Sequence, residues 1–291
     1  MRTSRRSGSR LFGTERGYVD PRSSPFERTA IPAFIGLDLA WSERNPSGGA
    51  AIDETGRVLE ARADLGGDEE ILAFVRAHLA ETSVLGLDMP TIVPNPVGMR
   101  RCERELARDF RAYHAAPHPS NRARFPDGGR ARALLDALAP EGVVERLDLS
   151  PRTQGRYAFE VFPHPAHVRL FARDSIFRYK KKPGRTWPEV WRGWAEYRAA
   201  LAGLGDAEPP LHVPESVPLG VALKGRAYKV WDDSLDALTC AYVAAFVWRY
   251  GPSGPEVRTF GNLTDGYIVI PDVPAKRAGG TLQLEVLPNN A

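Results

Sequence analysis

Two apolar segments that each end in an aspartate are the strongest constraint on how this chain folds. AFIGLDLAW reaches Asp38 and is followed by Ser, Asn, Pro and Gly, the residues that form turns. SVLGLDMP reaches Asp88 in the same way and is then broken by Pro90, Pro94 and Pro96. We therefore predict two strands with an aspartate at or near the carboxyl end of each. In open α/β sheets, ligands bind at that edge.

A third acidic segment, DDSLDALTCAYVAAFVW, predicts a long apolar helix with Asp232, Asp233 and Asp236 in its first turns. Acids at a helix start offset the helix dipole, so a capping role is one explanation. A cap needs only one carboxylate, however, and Asp233 and Asp236 stand three residues apart on one helix face. If the sheet brings these acids to Asp38 and Asp88, the carboxylates would form a site for hard divalent cations with coordination left for a phosphate.

The elements between these segments predict an α/β fold. Residues 33–59 read as three short strands separated by turns, DEEILAFVRAHLAET as a helix, and SVLGLD as a fourth strand. An insertion with helical patterns follows at about residues 91–155, and GRYAFEVFP then predicts a strand that ends near Glu160. Pattern alone leaves several α/β folds open.

Length and composition fit one ordinary globular domain. The chain has 291 residues, of which 43% are hydrophobic and 26% charged. No stretch approaches the roughly 20 apolar residues of a membrane span, so no membrane association is predicted. The two cysteines suit a reducing cytoplasm. We predict a domain at residues 31–272, a disordered Arg/Ser-rich extension at 1–30 and a loose tail at 273–291.

Positive charge is concentrated in two segments. Residues 1–30 carry seven Arg and three acids, a charge of +4 in a chain whose total is +3, which leaves −1 for the remainder. Residues 100–132 carry nine Arg and four acids, a local charge of +5. Arginines beside an acidic pocket suit a nucleic-acid enzyme, in which they would bind phosphates while the carboxylates bind metal. A solvated Arg-rich helix explains the same pattern equally well.

The chain resembles the domain of unknown function 429 family, whose members are described as predicted ribonuclease H-like nucleases. The matching motifs span residues 33–271 and are GLDLAW, GLDMP with the downstream Arg100, Arg101 and Cys102, EVFP at Glu160, YK at Tyr179 and Lys180, DDSLDAL, and GYIVIP. The resemblance implies a ribonuclease H-like fold, with a mixed central sheet flanked by helices and a helical insertion after the fourth strand. The predicted order β, β, β, α, β is how such a fold begins.

The acids are also more distantly similar to those of RuvC-type junction resolvases. In that group a fourth-strand acid and a helical acid pair complete the metal site, and the fourth-strand acid is usually Glu where this chain has Asp88. Asp88 therefore has a shorter reach than the acid of the resolvases. Glu160, which the simplest resolvase pattern lacks, would either supply a further carboxylate or form an ion pair with an Arg.

The chemistry implied by the resemblance is hydrolysis of phosphodiesters in DNA or RNA with two Mg²⁺ or Mn²⁺ ions. Asp38 would bridge both ions, with Asp88, Asp233 and Asp236 completing the shells. The implied catalytic residues are Asp38, Asp88, Glu160, Asp233 and Asp236, and the implied substrate-binding residues are Arg100, Arg101 and Lys180.

Other readings of the residues stay open. The same fold supports actin-like phosphotransferases and ATPases, which need a second Gly-rich turn that GGAAIDETG does not convincingly supply. A nucleic-acid-binding module without catalysis would be favoured if the acids proved to be separated or salt-bridged. His114 with His118, and His164 with His167, have zinc-ligand spacing but lack further matched ligands. Nothing in the pattern predicts an oligomeric state.

Overall fold

The structure is a computed structural model that describes residues 31–42, 45–215, 217 and 223–273. The predicted extension at residues 1–30, and the predicted tail from residue 274 onwards, lie outside the described residues.

The described residues form eight strands and six α-helices. In chain order they are β1 (Ala33–Asp38), β2 (Ser47–Asp53), β3 (Val58–Leu65), α1 (Asp68–His78), β4 (Ser83–Leu87), α2 (Arg101–Phe110), α3 (Arg130–Leu138), β5 (Val143–Glu145), β6 (Arg156–Glu160), α4 (Pro163–Leu170), α5 (Trp187–Ala202), α6 (Gly225–Tyr250), β7 (Val257–Asn262) and β8 (Gly266–Pro271).

Six of the strands form one mixed sheet in the order β3-β2-β1-β4-β6-β5. Strands β1, β2 and β3 pair antiparallel, whereas β1 with β4, β4 with β6 and β5 with β6 pair parallel. The predicted three opening strands, the helix after them and the fourth strand are confirmed. The protein is therefore an α/β protein with a mixed central sheet flanked by helices, as predicted.

The two faces of the sheet bury different helices. Phe34 of β1 and Val84 of β4 point to one face and pack with the apolar side chains of α5 and α6. Ile35 and Leu85, the next residues along, point to the other face and pack with α1 and α3. This alternation is what a strand dictates, since successive side chains point to opposite faces. The sheet is thus covered on both sides.

A two-stranded sheet of β7 and β8 lies beside the main sheet. The motif GYIVIP forms β8, while β7 and β5 were not predicted from the sequence. The hairpin packs its apolar side chains, among them Phe260 and Ile268, against Cys102 and Leu106 of α2. It closes the core on the side where α2 lies.

The long acidic helix starts earlier than its sequence pattern suggests. The prediction that Asp232, Asp233 and Asp236 stand in its first turns is wrong, because α6 begins at Gly225 and has no acid in its first turn. Lys229 forms ion pairs with the acids three and four residues later, which favours helix upstream of them. These acids therefore do not cap the helix.

None of the helices formed by the described residues is both long and apolar enough to cross a membrane.

Candidate functional site

Asp38 and Asp88 lie side by side at the carboxyl edge of the central sheet. Strand β1 ends at Asp38, and the parallel register of β1 with β4 pairs Leu37 with Leu87, the residue before Asp88. The backbone N–H of Asp88 donates to the carbonyl oxygen of Leu37 at 2.9 Å, which extends the pairing by one residue. Both aspartate side chains are half-buried. The structure thus brings these two predicted residues together.

Glycines in the strands let α6 pass directly over the sheet. A Cβ on Gly36 would lie less than 3.0 Å from the backbone of Ala237 and Ala241, and one on Gly86 less than 3.0 Å from the carbonyl oxygen of Cys240. Such contacts leave no room for a side chain. Each glycine stands two residues before its aspartate and therefore on the same face of the sheet. Because the glycines have no side chains, α6 packs closely against the sheet beside the carboxylates.

Asp236 is the most tightly held acid of the helix. Its Oδ2 lies 2.6 Å from Nζ of Lys180, and the hydroxyl of Tyr179 donates to its Oδ1 at 2.6 Å. The Asp236 side chain is 1% exposed and that of Lys180 is 31% exposed. Burial by itself would raise the pKa of Asp236, but the charges of Lys180 and His164 and the two hydrogen bonds outweigh it and lower the pKa.

Tyr197 and Thr239 complete this network and were not predicted. The Tyr197 hydroxyl on α5 lies 2.5 Å from Oγ1 of Thr239 and 3.3 Å from Oδ1 of Asp236. Both residues are fully buried. The aromatic spacing of α5 indicates a buried helix face, but only the fold shows which polar group that face contacts. Asp236 is therefore oriented by two tyrosines as well as by Lys180.

Asp233 and Asp232 share a different cation, Lys229, which stands one turn earlier on α6. Lys229 forms an ion pair with Asp233, and its Nζ lies 3.5 Å from Oδ2 of Asp232. The backbone carbonyl of Asp233 lies against Gly48, which pairs with Asp38 across β1 and β2. This contact places the acidic turn of α6 beside the end of β1.

The grouped acids repel one another, and this shows in their pKa values. Burial is the largest influence on Asp38 and raises its pKa well above the usual range; the charges of Asp236, Asp88 and Asp233 add to it, and Lys180 opposes it. Burial also raises the pKa of Asp88 to about 7, again with Asp236 adding and Lys180 opposing. No hydrogen bond from a described residue is among the causes acting on either carboxyl. The site therefore has more negative charge than its lysines compensate.

Glu160 belongs to a separate buried network. Its two carboxylate oxygens accept hydrogen bonds from Arg100, at 2.7 Å for Nη1 and 2.5 Å for Nη2, and Nε of Arg100 donates to Glu103 at 2.9 Å. Because Glu160 pairs in register with Leu87, its side chain points to the face opposite that of Asp88. Of the two roles predicted for Glu160, the geometry corresponds to the ion pair with an Arg.

The three predicted substrate-binding residues have different surroundings. Arg100 is 2% exposed and its guanidinium faces Glu160 and Glu103 rather than solvent. Arg101 has an exposed side chain and pairs with Glu105 at 2.8 Å on the surface of α2. Lys180 alone of the three reaches the aspartate group. The structure therefore brings Lys180, but not Arg100, to the edge where the carboxylates meet.

The histidine pairs do not form a metal site among the described residues. His164 and His167 have ring centroids 6.0 Å apart on α4, and neither ring nitrogen of His167 has a hydrogen-bond partner. Aromatic rings surround His167, with Tyr197 at 4.3 Å and Phe177 at 5.3 Å between centroids. Burial lowers the pKa of His164 to about 4 and lowers that of His167 well below its usual range, so both rings are neutral at neutral pH.

The carboxylate group has the oxygen donors that a divalent cation binds, although its acids are not arranged as a ready-made metal site. Across the described part of the chain, no three His, Cys, Asp or Glu side chains are positioned to hold a metal ion as they stand. Lys180 and Lys229 instead hold the carboxylates of α6. Asp38 and Asp88 offer hard oxygen donors, which hard cations bind. Their pKa values are raised, and a bound cation would favour the ionised form of both carboxyls.

Fold and site together define an α/β protein with a carboxylate group at the edge of its central sheet. The chain belongs to the family described as protein of unknown function (DUF429), whose profile matches residues 36–254. That range contains every acid of the group and both of its lysines. Searches of curated proteins and of solved structures found no match.

Proposed function

We propose that the chain has a ribonuclease H-like fold. The sheet order with three antiparallel strands followed by parallel ones, and the long helix across one face, support this assignment. The segment between β4 and β6 contains α2 and α3, as the proposed helical insertion requires. In such a sheet the carboxyl ends of β1 and β4 are neighbours, and this is where Asp38 and Asp88 lie.

The function that the site supports best is metal-dependent hydrolysis of phosphodiester bonds in a nucleic acid. One observation carries the proposal: among the described residues Asp38 and Asp88 form no ion pair of their own and lie beside the acids of α6, and burial, with repulsion from those acids added, raises their pKa values. A divalent cation would neutralise this charge and at the same time bind a phosphate oxygen. Asp38 and Asp88 are half-buried, whereas the acids of α6 are buried.

Asp38 and Asp88 would hold the ion, because neither forms an ion pair with a lysine among the described residues. Asp233 and Asp236, which pair with Lys229 and Lys180, would complete the negative charge around the ion. When bound, a divalent ion neutralises phosphate charge and lowers the pKa of an attached water. The proposed substrate is therefore a nucleic acid, and the proposed cofactor is Mg²⁺ or Mn²⁺.

Lys180 has a role of its own in this proposal. Burial would lower its pKa, but the charges of Asp236, Asp38 and Asp232 outweigh burial and raise the pKa well above the usual range. Lys180 therefore keeps its proton at neutral pH. It acts as a fixed positive charge that neutralises a phosphate oxygen, and not as an acid that donates a proton to the leaving group.

The test is cleavage of labelled single-stranded, duplex, hybrid and branched nucleic acids with Mg²⁺ or Mn²⁺. We expect cleavage by the parent and a loss of about 100-fold or more in Asp38→Asn and Asp236→Asn. Asp53→Asn is the matched control, since Asp53 also ends a strand but pairs with Ala33 at the opposite end of β1. Absence of cleavage on every substrate, or cleavage unchanged in Asp38→Asn, would overturn the assignment.

The ion pairs of α6 favour a second candidate, a nucleic-acid-binding module without catalysis. Lys180 on Asp236 and Lys229 on Asp233 already compensate two of the acids, so a protein that only binds a phosphate backbone could keep this arrangement. The same experiment separates the candidates. A module would bind the labelled nucleic acids and release them uncut, with and without the divalent ion.

A further inference from the structure

An exposed tryptophan stands at the rim of the carboxylate group. Trp41 follows Asp38 by three residues and is 55% exposed, unusually high for so large an apolar side chain. Its ring packs edge-on against the buried ring of Phe125, with the two ring centroids 5.4 Å apart and the ring planes at 64°. His118 contacts the same ring edge-on, at 6.3 Å and 87°. Contacts with Phe125 and His118 therefore position the Trp41 ring while much of it stays exposed to solvent.

An arginine lies near this ring. The guanidinium of Arg124 lies 5.9 Å from the centre of the Trp41 ring, and its Nη1 donates to the carbonyl oxygen of Pro119 at 3.2 Å, which fixes it there. Arg122 is exposed two residues earlier. These arginines come from the segment whose local charge is +5. An aromatic face flanked by cations suits a flat ring attached to a phosphate.

The chain itself keeps the ring close to the carboxylates. Trp41 stands three residues after Asp38, so their Cα atoms lie at most about 11 Å apart. Asp38 in turn lies beside Asp88 at the carboxyl edge of the sheet. Trp41 is therefore within reach of a nucleotide next to one held at the carboxylates.

We propose that Trp41, with His118 and Arg124, forms a stacking subsite for one unpaired nucleobase next to the scissile phosphodiester. The inference rests on the proposed function for the position of that phosphodiester. A base inside a duplex has both faces covered by its neighbours, so it reaches the ring only by leaving the stack. The subsite therefore selects substrates with a single-stranded segment over blunt duplexes. The flanking arginines favour nucleotides over neutral sugars, which also stack on tryptophan.

The test measures binding by fluorescence anisotropy with the full chain carrying Asp38→Asn, so that no substrate is cut. The probes are a labelled single-stranded oligonucleotide, the same strand with a central run of abasic sites, a blunt duplex and a neutral oligosaccharide. The variants are Trp41→Ala, Trp41→Phe and, as an apolar control that is 45% exposed, Leu59→Ala on the edge strand β3. Circular dichroism shows that each variant is folded.

We expect Trp41→Ala to bind the single strand about five- to 150-fold more weakly than the Asp38→Asn parent, which corresponds to the loss of one stacked base. Trp41→Phe should retain most of the affinity, and Leu59→Ala all of it. On the abasic strand and on the blunt duplex, Trp41→Ala should bind like its parent, because there is no free base to lose.

Three results would overturn the subsite. If the parent binds the single strand and Trp41→Ala binds it equally well, the stacking role is wrong while the proposed function stands. If Trp41→Ala weakens binding to the blunt duplex, or to the oligosaccharide, as much as to the single strand, the unpaired base is the wrong ligand. If the parent binds none of the nucleic acids, the proposed function and the subsite are lost together.

Discussion

At the scale of single residues, the site is a balance between one ammonium group and several carboxylates. Lys180 lies 2.6 Å from Asp236 and also acts on Asp38, Asp88 and Asp232, whose pKa values would otherwise be higher still. The sequence places a lysine next to Tyr179 but does not show that it reaches the acids, because the contact spans more than fifty residues of chain. The pairing depends on the fold.

Removing this ammonium should destabilise the protein in a pH-dependent way. In Lys180→Met the buried Asp236 loses its counter-charge, and we expect the free energy of unfolding at pH 8 to fall by about 1–3 kcal/mol. The parent holds the pKa of Asp236 low, whereas the variant raises it, so the difference should shrink as pH falls from 8 to 4. Urea unfolding at both pH values measures this, with Lys180→Arg as the charge-retaining control. A loss that is equal at both pH values would contradict the pairing.

Asp88 should have the opposite effect on stability. Its folded pKa of about 7 lies above the usual value, so the native state loses stability as pH rises from about 4 to 7. Asp88→Asn lacks this loss, and over that window we expect it to gain at least about 1.4 kcal/mol relative to the parent, the equivalent of one pKa unit. Measurements without divalent ions, by urea unfolding across the window, test this.

Asp148→Asn is the control for the sign of the pH-dependent change in stability. The hydrogen bond from Arg146 lowers the pKa of Asp148, so its carboxylate favours the folded state as pH rises. Relative to the parent, Asp148→Asn should lose stability as pH rises through the range below about 4, where the unfolded carboxyl titrates, and should show almost no trend from pH 4 to 7, where Asp88→Asn gains stability. If Asp88→Asn showed no trend with pH from 4 to 7, the raised pKa of the buried Asp88 carboxyl would be wrong.

At the scale of elements, the fit of α6 onto the sheet determines the site. Gly36 and Gly86 pair with each other across β1 and β4, and α6 lies on both. The motif GLD occurs twice because each strand needs a glycine under the helix and an acid at its end. The apolar runs that end in aspartate identify the acids but not the role of the glycines, although a glycine inside a strand indicates a close approach of another backbone.

Adding one methyl group at this contact should therefore displace the helix. In Gly36→Ala the new Cβ would overlap backbone atoms of Ala237 and Ala241, and we expect a loss of about 3 kcal/mol or more in the free energy of unfolding. Gly67→Ala is the control, since nothing lies within 4 Å of a Cβ there and its φ of −90° is ordinary. Equal stability of the two variants in urea unfolding would show that α6 does not rest on β1.

The start of α6 shows where local pattern fails. The Pro-rich residues 208–220 and Gly225 indicate a break in regular structure, and the apolar pattern becomes regular only after the acids. The sequence therefore favours a helix that starts later than Gly225. The helix nevertheless includes Lys229, whose spacing to Asp233 is the one local signal for it. The opening strands, α1 and β4 were predictable because their apolar periodicity and turn residues agree with each other.

At the scale of the whole molecule, one edge of the sheet combines opposite charges. The carboxylates lie at the ends of β1 and β4, and Lys180 contacts Asp236 there. Arg124 of the arginine-rich segment lies 5.9 Å from the ring centre of Trp41, three residues after Asp38. The three acids that end predicted strands, Asp38, Asp88 and Glu160, look alike in sequence, yet only the two aspartates lie on the face that α6 covers. Which face a strand-end side chain takes depends on register, and register depends on long-range pairing that no local motif specifies.

The central claim is that the carboxylate group binds a divalent cation, and Mn²⁺ titration by isothermal calorimetry tests it most directly. We predict saturable binding by the parent that is lost in Asp38→Asn and in Asp88→Asn but kept in Asp53→Asn, because only the first two carboxylates stand at the edge beside α6. Absence of saturable Mn²⁺ binding in the parent, or binding that Asp38→Asn leaves unchanged, would contradict the account.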